Sequence, residues 1–353
     1  MENNPRKGQR LYGPPVEKTA QGASEAMSIH PVPSSGRLAR WLRPLPPGIV
    51  LGMARLLAHT RELRPYPGWY FGIAMESENT RSRLRAGIWR YCNERRLELP
   101  IIMKWYGGIR VHTYVGNDTS SCFFVGGCYE PNEFFFLDSF LGEGMTFVDV
   151  GANEGLFTLF ASKKVGMRGR IFALEPSQRD FSRLTDNLRL NKSANVKALQ
   201  LGASDHNGKA ELIVAGYQHE GHNTLGRLSY EASSSRIEKI ELRRLDDLLD
   251  GEKVDGVDVV KIDVEGAEKK VIMGMQETIR RYRPALLVEV FDNALRTQGS
   301  SCEELLEILR SLGYRLFIFT EEKGLAAPLE GEPKGSENIL ALPDESVEWI
   351  LQA

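Results

Sequence analysis

The stretch Phe147-Val148-Asp149-Val150-Gly151-Ala152-Asn153-Glu154-Gly155 decides the fold of this sequence. A short apolar run leads into a glycine-rich turn, a pattern typical of a β-strand that passes directly into a helix. Amide groups at the start of such a helix have no backbone partner, and glycines let a ligand approach them closely. We therefore expect a ligand-binding turn at this position.

The sequence from residue 146 onward alternates short apolar strands with helices, as in a parallel sheet with crossover helices. Capping boxes at Ser177 and Ser301 mark two helix starts, and Gly313 marks a helix end. The predicted fold class is α/β, with a seven-stranded Rossmann-like sheet that is mostly parallel and has its last strand antiparallel. The seven strands are predicted at residues 146–150, 170–174, 196–201, 257–262, 285–290, 314–319 and 338–342.

The chain divides into three predicted segments. Residues 1–36 are polar and rich in Pro, Gly and Ser, so we expect a flexible tail. Residues 37–128 form an N-terminal extension of small helices followed by antiparallel strands, which we place between Ile101 and Val125. Residues 129–345 form the main domain.

Two strand-like runs interrupt the alternation inside the main domain, at residues 210–214 and 237–242. They predict a hairpin insertion near the ligand site. The connecting loop is expected to be exposed, and it carries His219 and His222.

Length and composition limit the class of protein. A chain of 353 residues with 42% hydrophobic and 26% charged residues fits one catalytic unit with additions. No apolar run reaches the roughly 18 residues of a membrane span, and no secretory signal is evident, so we expect a cytoplasmic protein. Four cysteines lack CxxC spacing and are predicted to be reduced, mostly buried thiols: Cys92, Cys122, Cys128 and Cys302.

The net charge of −2 is unevenly distributed. Residues 1–110 carry 18 Lys and Arg against 8 Asp and Glu, a balance of +10 that leaves −12 for the rest of the chain. The basic residues are scattered, so we interpret them as a solvated helical face. No nucleic-acid-binding signature is present, and we expect no nucleic-acid partner.

The glycine pattern of the turn distinguishes two classes of ligand. A dinucleotide fingerprint needs G-x-G-x-x-G, but Asn153 and Leu156 occupy its second and third glycine positions. The motif Asp149-x-Gly151-x-Asn153-x-Gly155 instead suits a small carboxylate next to a positive amino group, as in the methionine end of S-adenosylmethionine. A nicotinamide-binding oxidoreductase is the chief alternative, and glycines that serve only strand–helix packing are another.

An acidic residue follows at the spacing that ribose recognition requires. Glu175 ends the next strand, 24 residues after Gly151, and its carboxylate suits the two ribose hydroxyls. Ser204 and Asp205, after the third strand, are candidates to meet the adenine. The predicted cofactor-binding residues are Asp149, Gly151, Ala152, Asn153, Gly155, Glu175, Pro176, Ser204 and Asp205.

Three motifs in order resemble the FkbM-type methyltransferases: the glycine turn, Glu175-Pro176, and the run Val260-Lys261-Ile262-Asp263-Val264-Glu265-Gly266-Ala267-Glu268. The resemblance implies a class I methyltransferase that moves a methyl group from S-adenosylmethionine to an oxygen, commonly a hydroxyl of a sugar, polyketide or related secondary metabolite. Glu154 departs from similar proteins, which often have an apolar or aromatic residue there. The resemblance spans about residues 130–314 and includes Tyr129-Glu130-Pro131, Asn187, Asn191, Asn223-Thr224 and Leu312-Gly313-Tyr314.

The third motif supplies the candidate catalytic residues. Asp263 is expected to point into the site from the end of its strand, as general base or clamp for the acceptor hydroxyl. Lys261 lies in an apolar strand and needs a carboxylate partner, for which Glu289 at the end of the adjacent strand is one option. The helix dipole explains Glu265 as well as a catalytic role does, and it is the favoured explanation for Glu268.

A metal ion and the two loop histidines are open alternatives. Asp263, Glu289 and Asp292 could together ligate Mg²⁺, although no recognised ligand pattern requires a metal. His219 and His222 could act as a general base or as metal ligands, or they are inert loop residues. The expected partner is a small-molecule or glycan acceptor. A third alternative is a cofactor-binding protein without transfer activity, and the sequence leaves the acceptor and the oligomeric state open.

Overall fold

The computed structural model describes residues 41–59, 80–216, 221–227, 235–319, 326–333 and 335–347. Residues 1–36, the predicted tail, and His219 lie outside this part of the chain. The strands in chain order are β1 (Leu99–Lys104), β2 (Arg110–Val115), β3 (Thr146–Val150), β4 (Arg170–Leu174), β5 (Val196–Leu199), β6 (Gly202–Ala203), β7 (Gly208–Ala215), β8 (Ser235–Arg243), β9 (Val259–Ile262), β10 (Ala285–Val290), β11 (Tyr314–Phe319), β12 (Ala326–Pro328) and β13 (Glu337–Pro343).

The helices surround the main sheet and the N-terminal strands. A π-helix, Ser121–Gly126, directly follows the short helix Asp118–Ser120. The helices are α1 (Pro47–Leu57), α2 (Thr80–Glu94), α3 (Asp118–Ser120), α4 (Pro131–Phe140), α5 (Leu156–Val165), α6 (Gln178–Asn191), α7 (Leu245–Gly251), α8 (Glu268–Met273), α9 (Gln276–Tyr282), α10 (Asp292–Thr297) and α11 (Cys302–Ser311).

Eight strands form the main sheet in the order β12-β11-β13-β10-β9-β3-β4-β5. All seven predicted strands are present, and β12 adds a short antiparallel strand at one edge. β3, β4, β5, β9 and β10 are parallel, whereas β13 runs antiparallel to both of its neighbours. The expected fold class is confirmed.

Side chains of the sheet alternate between two hydrophobic layers. In β3, Phe147 packs in the layer that holds α4, α5 and α6, whereas Val148 packs in the layer of α7 to α11. Every residue of β3 is buried, as expected for a parallel strand covered on both faces. Full burial of a side chain such as Phe147 contributes about 1.5–3 kcal/mol. These layers hold the strand ends firmly at one rim of the sheet.

The predicted helix ends are confirmed. The Ser177 hydroxyl accepts a hydrogen bond from the Asp180 amide at the start of α6, and Ser301 accepts one from Glu304 at the start of α11. Gly313 follows α11 with a φ of 77°, a conformation that favours glycine.

The N-terminal extension differs from expectation in its last part. β1 and β2 pair antiparallel, as predicted. The expectation of strands as far as Val125 was wrong, because residues 118–126 are helical. The Asn117 side chain caps this helical segment by accepting a hydrogen bond from the Ser120 amide at 3.0 Å. Residues 122–125 are all buried, so the run lacks the alternation of a strand with one solvated face.

The hairpin insertion is present. β7 and β8 pair antiparallel along their length, and β6 pairs with β8. Thr224 returns to this hairpin through paired backbone hydrogen bonds with Ile213. The insertion therefore brings residues 221–227 towards the main sheet.

The state of the cysteines and the length and polarity of the helices are two further features of the fold. All four cysteines are free and buried, as predicted. Within the described residues, no helix is long and apolar enough to cross a membrane.

Candidate active site

The candidate site lies where the strand order reverses, between β3 and β9. The chain runs outward from β3 to β4 and β5 on one side, and from β9 to β10 on the other. Parallel α/β sheets bind ligands at the carboxyl ends of the strands at such a point. Gly151 follows β3 with a φ of 84°, and a Cβ atom on it would lie 1.8 Å from the backbone oxygen of Asp263 after β9. Only glycine fits this contact, which joins the turn to the catalytic candidate.

Asp149, the last acidic residue before the turn, is 1% exposed. Its Oδ2 atom accepts a hydrogen bond from the Thr158 hydroxyl at 2.5 Å. Its Oδ1 atom is buried and has no hydrogen-bond partner among the described residues. Burial raises the pKa of Asp149, against the opposing effect of the Lys261 ammonium group. A buried carboxylate oxygen without a partner is costly, and a cationic ligand group would relieve that cost.

Glu175 fixes the turn from the end of β4. Its Oε2 atom accepts a hydrogen bond from the Asn153 amide at 2.9 Å, and its Oε1 atom accepts one from the Ser177 amide at 2.8 Å. Burial raises the pKa of Glu175 to about 8, and the nearby Asp180 carboxylate adds to the rise. Each carboxylate oxygen has a second lone pair for a ligand hydroxyl. The ribose role of Glu175 stays a prediction.

The structure explains the unusual Glu154. Its side chain is buried, and its Oε1 atom lies 2.7 Å from Nη1 of Arg183 on α6. Burial raises the pKa of Glu154 to about 7, and the Arg183 guanidinium opposes this. The carboxylate at this position therefore has a specific cationic partner.

Lys261 and Asp263 form the buried ion pair at the end of β9. Lys261 is 2% exposed, and its Nζ atom lies 2.8 Å from Oδ2 of Asp263 and 4.6 Å from the centre of the Phe157 ring. Burial disfavours the lysine charge, but the carboxylates of Asp263, Glu130 and Asp149 outweigh it and raise the Lys261 pKa. Glu289 was one option for the partner of Lys261. Lys261 instead pairs with Asp263, because both residues lie at the end of β9.

Glu289 contacts Asp263 from the adjacent β10. It accepts a hydrogen bond from the Ser336 hydroxyl at 2.7 Å and shares one with the Asp263 carboxyl group. Burial, together with the Asp263 charge, raises the pKa of Glu289 well above its ordinary value. Burial acts to raise the pKa of Asp263 as well, but the Lys261 ammonium group lowers it overall. The proton of the shared hydrogen bond thus belongs to Glu289 and the negative charge to Asp263.

The acidic group at this rim differs from the predicted metal set. Oxygen atoms of Asp263, Glu265 and Glu289 all lie within 4.8 Å of one another. Asp292 is not in this group. It accepts hydrogen bonds from Arg296 at 2.5 Å and from the Cys302 amide at 2.8 Å. Its position at the start of α10 directs it to its own helix and to the start of α11, so the alternative metal set with Asp292 is not assembled.

His222 reaches the site from the insertion. The expectation that this histidine lies in an exposed loop was wrong. Its side chain is 26% exposed, and its Nδ1 atom lies 2.8 Å from Oε1 of Glu265. Burial lowers the pKa of His222, but Glu265, Asp118 and Asp263 outweigh this and raise it to about 9. Thr224 holds the loop in place by donating to the Glu265 backbone oxygen at 2.8 Å.

Glu130 lies at the site without having been predicted as a site residue, although the motif Tyr129-Glu130-Pro131 contains it. Its Oε2 atom is buried and has no hydrogen-bond partner in the described part of the chain. Burial raises the pKa of Glu130 to about 8; Glu133 adds to the rise and Lys261 opposes it. Asn338 of β13 donates to Glu133 at 3.2 Å. The available signal was the acidic pair of Glu130, just before the aromatic helix α4, and Glu133 within it. Buried carboxylates need partners.

Ser204 and Asp205 follow β6. Ser204 is buried, and its hydroxyl donates to Oδ1 of Asp205 at 3.0 Å, which also lies 2.7 Å from Nδ1 of His206. The half-exposed Asp205 side chain is open to a ligand on its solvent side. Its contact with adenine stays a prediction.

Strand order, glycine turn and acidic strand end define a Rossmann-like domain of the class I methyltransferase type. A profile of the methyltransferase FkbM domain matches residues 149–316. Methyltransferase sdnD of Sordaria araneosa is 34% identical over 188 residues, with 45% of this chain and 71% of that protein covered. The chain belongs to the FkbM methyltransferase family.

Two other relatives have more specific names. The 2-O-methyltransferase NoeI of Sinorhizobium fredii is 25% identical over 178 residues, with 46% of this chain and 70% of that protein covered. The hexuronic acid methyltransferase AglP of Haloferax volcanii is 30% identical over 132 residues, with 37% of this chain and 50% of that protein covered.

Proposed function

We propose that this protein is an S-adenosylmethionine-dependent O-methyltransferase that acts on a hydroxyl group of a sugar, glycan or secondary metabolite. Membership of a methyltransferase family supports the reaction class and speaks against the oxidoreductase alternative. The names of NoeI and AglP support an oxygen acceptor on a carbohydrate.

The residues around the turn fit S-adenosylmethionine. The unpartnered oxygen of Asp149 offers a buried negative charge to the methionine amino group. Gly151 and Gly155 give the turn its tight path, since each has a positive φ and a Cβ atom there would meet the Asp263 backbone oxygen or Leu184. Glu175 presents lone pairs to a diol while the backbone holds its carboxylate rigidly. We propose that these residues, with Ala152, Asn153, Pro176, Ser204 and Asp205, hold the cofactor.

The observation that carries the proposal is the contact of Asp263 with the cofactor turn at Gly151. When bound, S-adenosylmethionine supplies a methyl group on a positively charged sulfur. Asp263 then positions the acceptor hydroxyl and takes its proton as the new bond forms. Lys261 keeps Asp263 ionised and oriented, at 2.8 Å. Glu289, whose pKa is raised by burial and by the Asp263 charge, donates to Asp263 and fixes the second face of the carboxylate.

The replacement Asp263→Asn tests this role. We expect transfer of labelled methyl groups from S-adenosylmethionine to fall about 100-fold or more, while the cofactor Kd measured by calorimetry stays within a few-fold of the wild-type value. Asp186→Asn is the matched control, because Asp186 pairs with Arg189 on the solvent side of α6. The assay uses a panel of glycosides and hydroxylated metabolites, with and without Mg²⁺.

Three results would contradict the proposal. Binding of NAD without binding of S-adenosylmethionine would restore the oxidoreductase alternative. Cofactor binding without transfer to any acceptor in the panel would favour a binding protein without transfer activity. Equal transfer by the wild type and Asp263→Asn would remove Asp263 from the mechanism.

A further inference from the structure

Arg183 connects the cofactor turn to the N-terminal extension. Its Nη1 atom lies 2.7 Å from Oε1 of Glu154 in the turn, and its Nη2 atom lies 2.8 Å from Oε2 of Glu98, immediately before β1. The guanidinium also lies 4.0 Å from the centre of the Tyr114 ring of β2. The Arg183 side chain is 11% exposed and that of Glu154 is 6% exposed. One planar guanidinium group thus contacts two carboxylates and an aromatic face from two different parts of the protein.

A second connection runs parallel to the first, one helical turn further along α6. The Asn187 side chain donates to the Glu154 backbone oxygen at 2.8 Å and accepts a hydrogen bond from the His112 amide of β2 at 2.7 Å. Asn187 is fully buried. The peptide at Glu154 is therefore held through its side chain and its backbone, in both cases by a residue that also holds the extension.

We propose that Glu98, Arg183 and Glu154 form a positioning link through which the N-terminal extension sets the geometry of the cofactor turn. This inference rests on the proposed S-adenosylmethionine site. The amide of Asn153, the neighbour of Glu154, is held on its other side by Glu175. A shift of the Glu154 peptide therefore moves the turn relative to the carboxylate that we assign to the ribose. Arg183 acts through the turn and has no assigned contact with the ligand.

Physical considerations favour positioning over simple stabilisation. A buried ion pair contributes little net stability compared with well-packed apolar side chains, because both charges lose their hydration. The charged pair adds direction, because the guanidinium fork donates to the two carboxylates in one arrangement only. Glu98 is the member of the link farthest from the turn, and its carboxylate is 27% exposed.

The first test is Glu98→Ala, with Glu98→Gln as the conservative variant. We expect the Kd of S-adenosylmethionine by calorimetry to rise about 3- to 10-fold in Glu98→Ala, a usual size for coupling through one contact. KM for the cofactor rises by the same factor, and kcat at saturating cofactor stays unchanged. Glu98→Gln, which retains an acceptor for Arg183, recovers part of the affinity. Asp186→Asn on the same helix serves as the control and leaves the Kd unchanged.

The double substitution Glu154→Leu with Arg183→Met separates positioning from stability. It replaces the buried ion pair by apolar side chains, so thermal unfolding is expected near the wild-type temperature. Cofactor affinity stays reduced, because the link to Glu98 is gone. Wild-type affinity in this variant, or in Glu98→Ala, overturns the inference while the proposed function stands. A wild-type protein that does not bind S-adenosylmethionine refutes the proposed function itself.

Discussion

The two halves of the candidate site are built in different ways. The half that we propose for the cofactor, the cofactor half, consists of residues 149–155 and Glu175, and glycine contacts and hydrogen bonds from backbone amides to Glu175 hold it. The half that we propose for the acceptor, the acceptor half, consists of side chains from separate elements: Glu130 before α4, Asp263 after β9, and Glu289 on β10. His222 and Asn338 complete it. The first half is thus a local backbone motif, and the second is an electrostatic cluster assembled by the whole fold.

This difference predicts different responses to substitution. The turn tolerates few substitutions, because Gly151 and Gly155 have positive φ values and no room for a Cβ atom. A side-chain cluster can change one residue at a time while the fold remains. We therefore expect substitutions in the cofactor half to abolish function and substitutions in the acceptor half to alter rates and pH profiles.

Gly151→Ala has the largest expected effect. Its Cβ atom would lie 1.8 Å from the Asp263 backbone oxygen, and the φ of 84° is itself unfavourable for alanine. We expect a loss of at least about 3 kcal/mol in the free energy of unfolding. A displacement of Asp263 of about 1 Å would lower methyl transfer about 100-fold. Urea denaturation and the transfer assay measure the two effects.

Gly256→Ala is the control for that substitution, since a Cβ atom there meets nothing within 4 Å. Its unfolding free energy is expected within about 0.5 kcal/mol of the wild-type value. A Gly151→Ala protein with wild-type stability and activity would show that the two halves do not depend on this contact.

The same difference explains which site residues could be predicted from the sequence. Spacing and residue type predicted the turn, Glu175 and the strand that carries Asp263, because each of these signals is a short, local stretch of sequence. The pairing of Glu133 with Asn338 joins residues 205 positions apart, and no local pattern encodes it. Only the sheet order, with β13 beside β10, brings them together.

His222 and Asp292 are two residues whose side-chain directions could not be predicted from the sequence. Both were judged by local position, one in a loop and one near a strand end. The insertion folds back so that His222 meets Glu265, and helix capping turns Asp292 towards Cys302. Tertiary packing decides such side-chain directions, and a single sequence carries no record of it.

Lys261→Met has the second largest expected effect, and it acts on the acceptor half. Lys261 lowers the pKa of Asp263 and keeps it ionised. Without that cation, burial raises the Asp263 pKa, so the ionised form is lost at a higher pH as the solution is acidified. We expect kcat at pH 7 to fall about 10-fold and the acidic limb of the pH–rate profile to move to higher pH.

Lys197→Met is a suitable control, because Lys197 forms an ion pair with Glu252 at the surface. Its pH–rate profile should match that of the wild type. If the acidic limb of Lys261→Met stays in place, the ionisation that limits the rate belongs to another group, and the proposed role of Asp263 as base would need revision.

His222→Gln has the smallest expected effect, and it concerns stability. The His222 pKa is raised to about 9 by Glu265, Asp118 and Asp263, whereas an unfolded histidine has a pKa of about 6.5. A raised folded pKa means that the charged form is stabilised. The contribution is therefore fully present below about pH 6.5 and is lost as the pH rises through about 9.

We expect urea denaturation to give a difference of about 1–2 kcal/mol between wild type and His222→Gln at pH 6, falling towards zero at pH 9.5. His206→Gln is the matched control, because the pair of His206 with Asp205 is exposed and such pairs contribute little. Parallel curves for wild type and His222→Gln across this range would show that the ion pair with Glu265 does not stabilise the fold. The insertion loop would then be held in place by other contacts, among them the hydrogen bonds of Asn223 and Thr224.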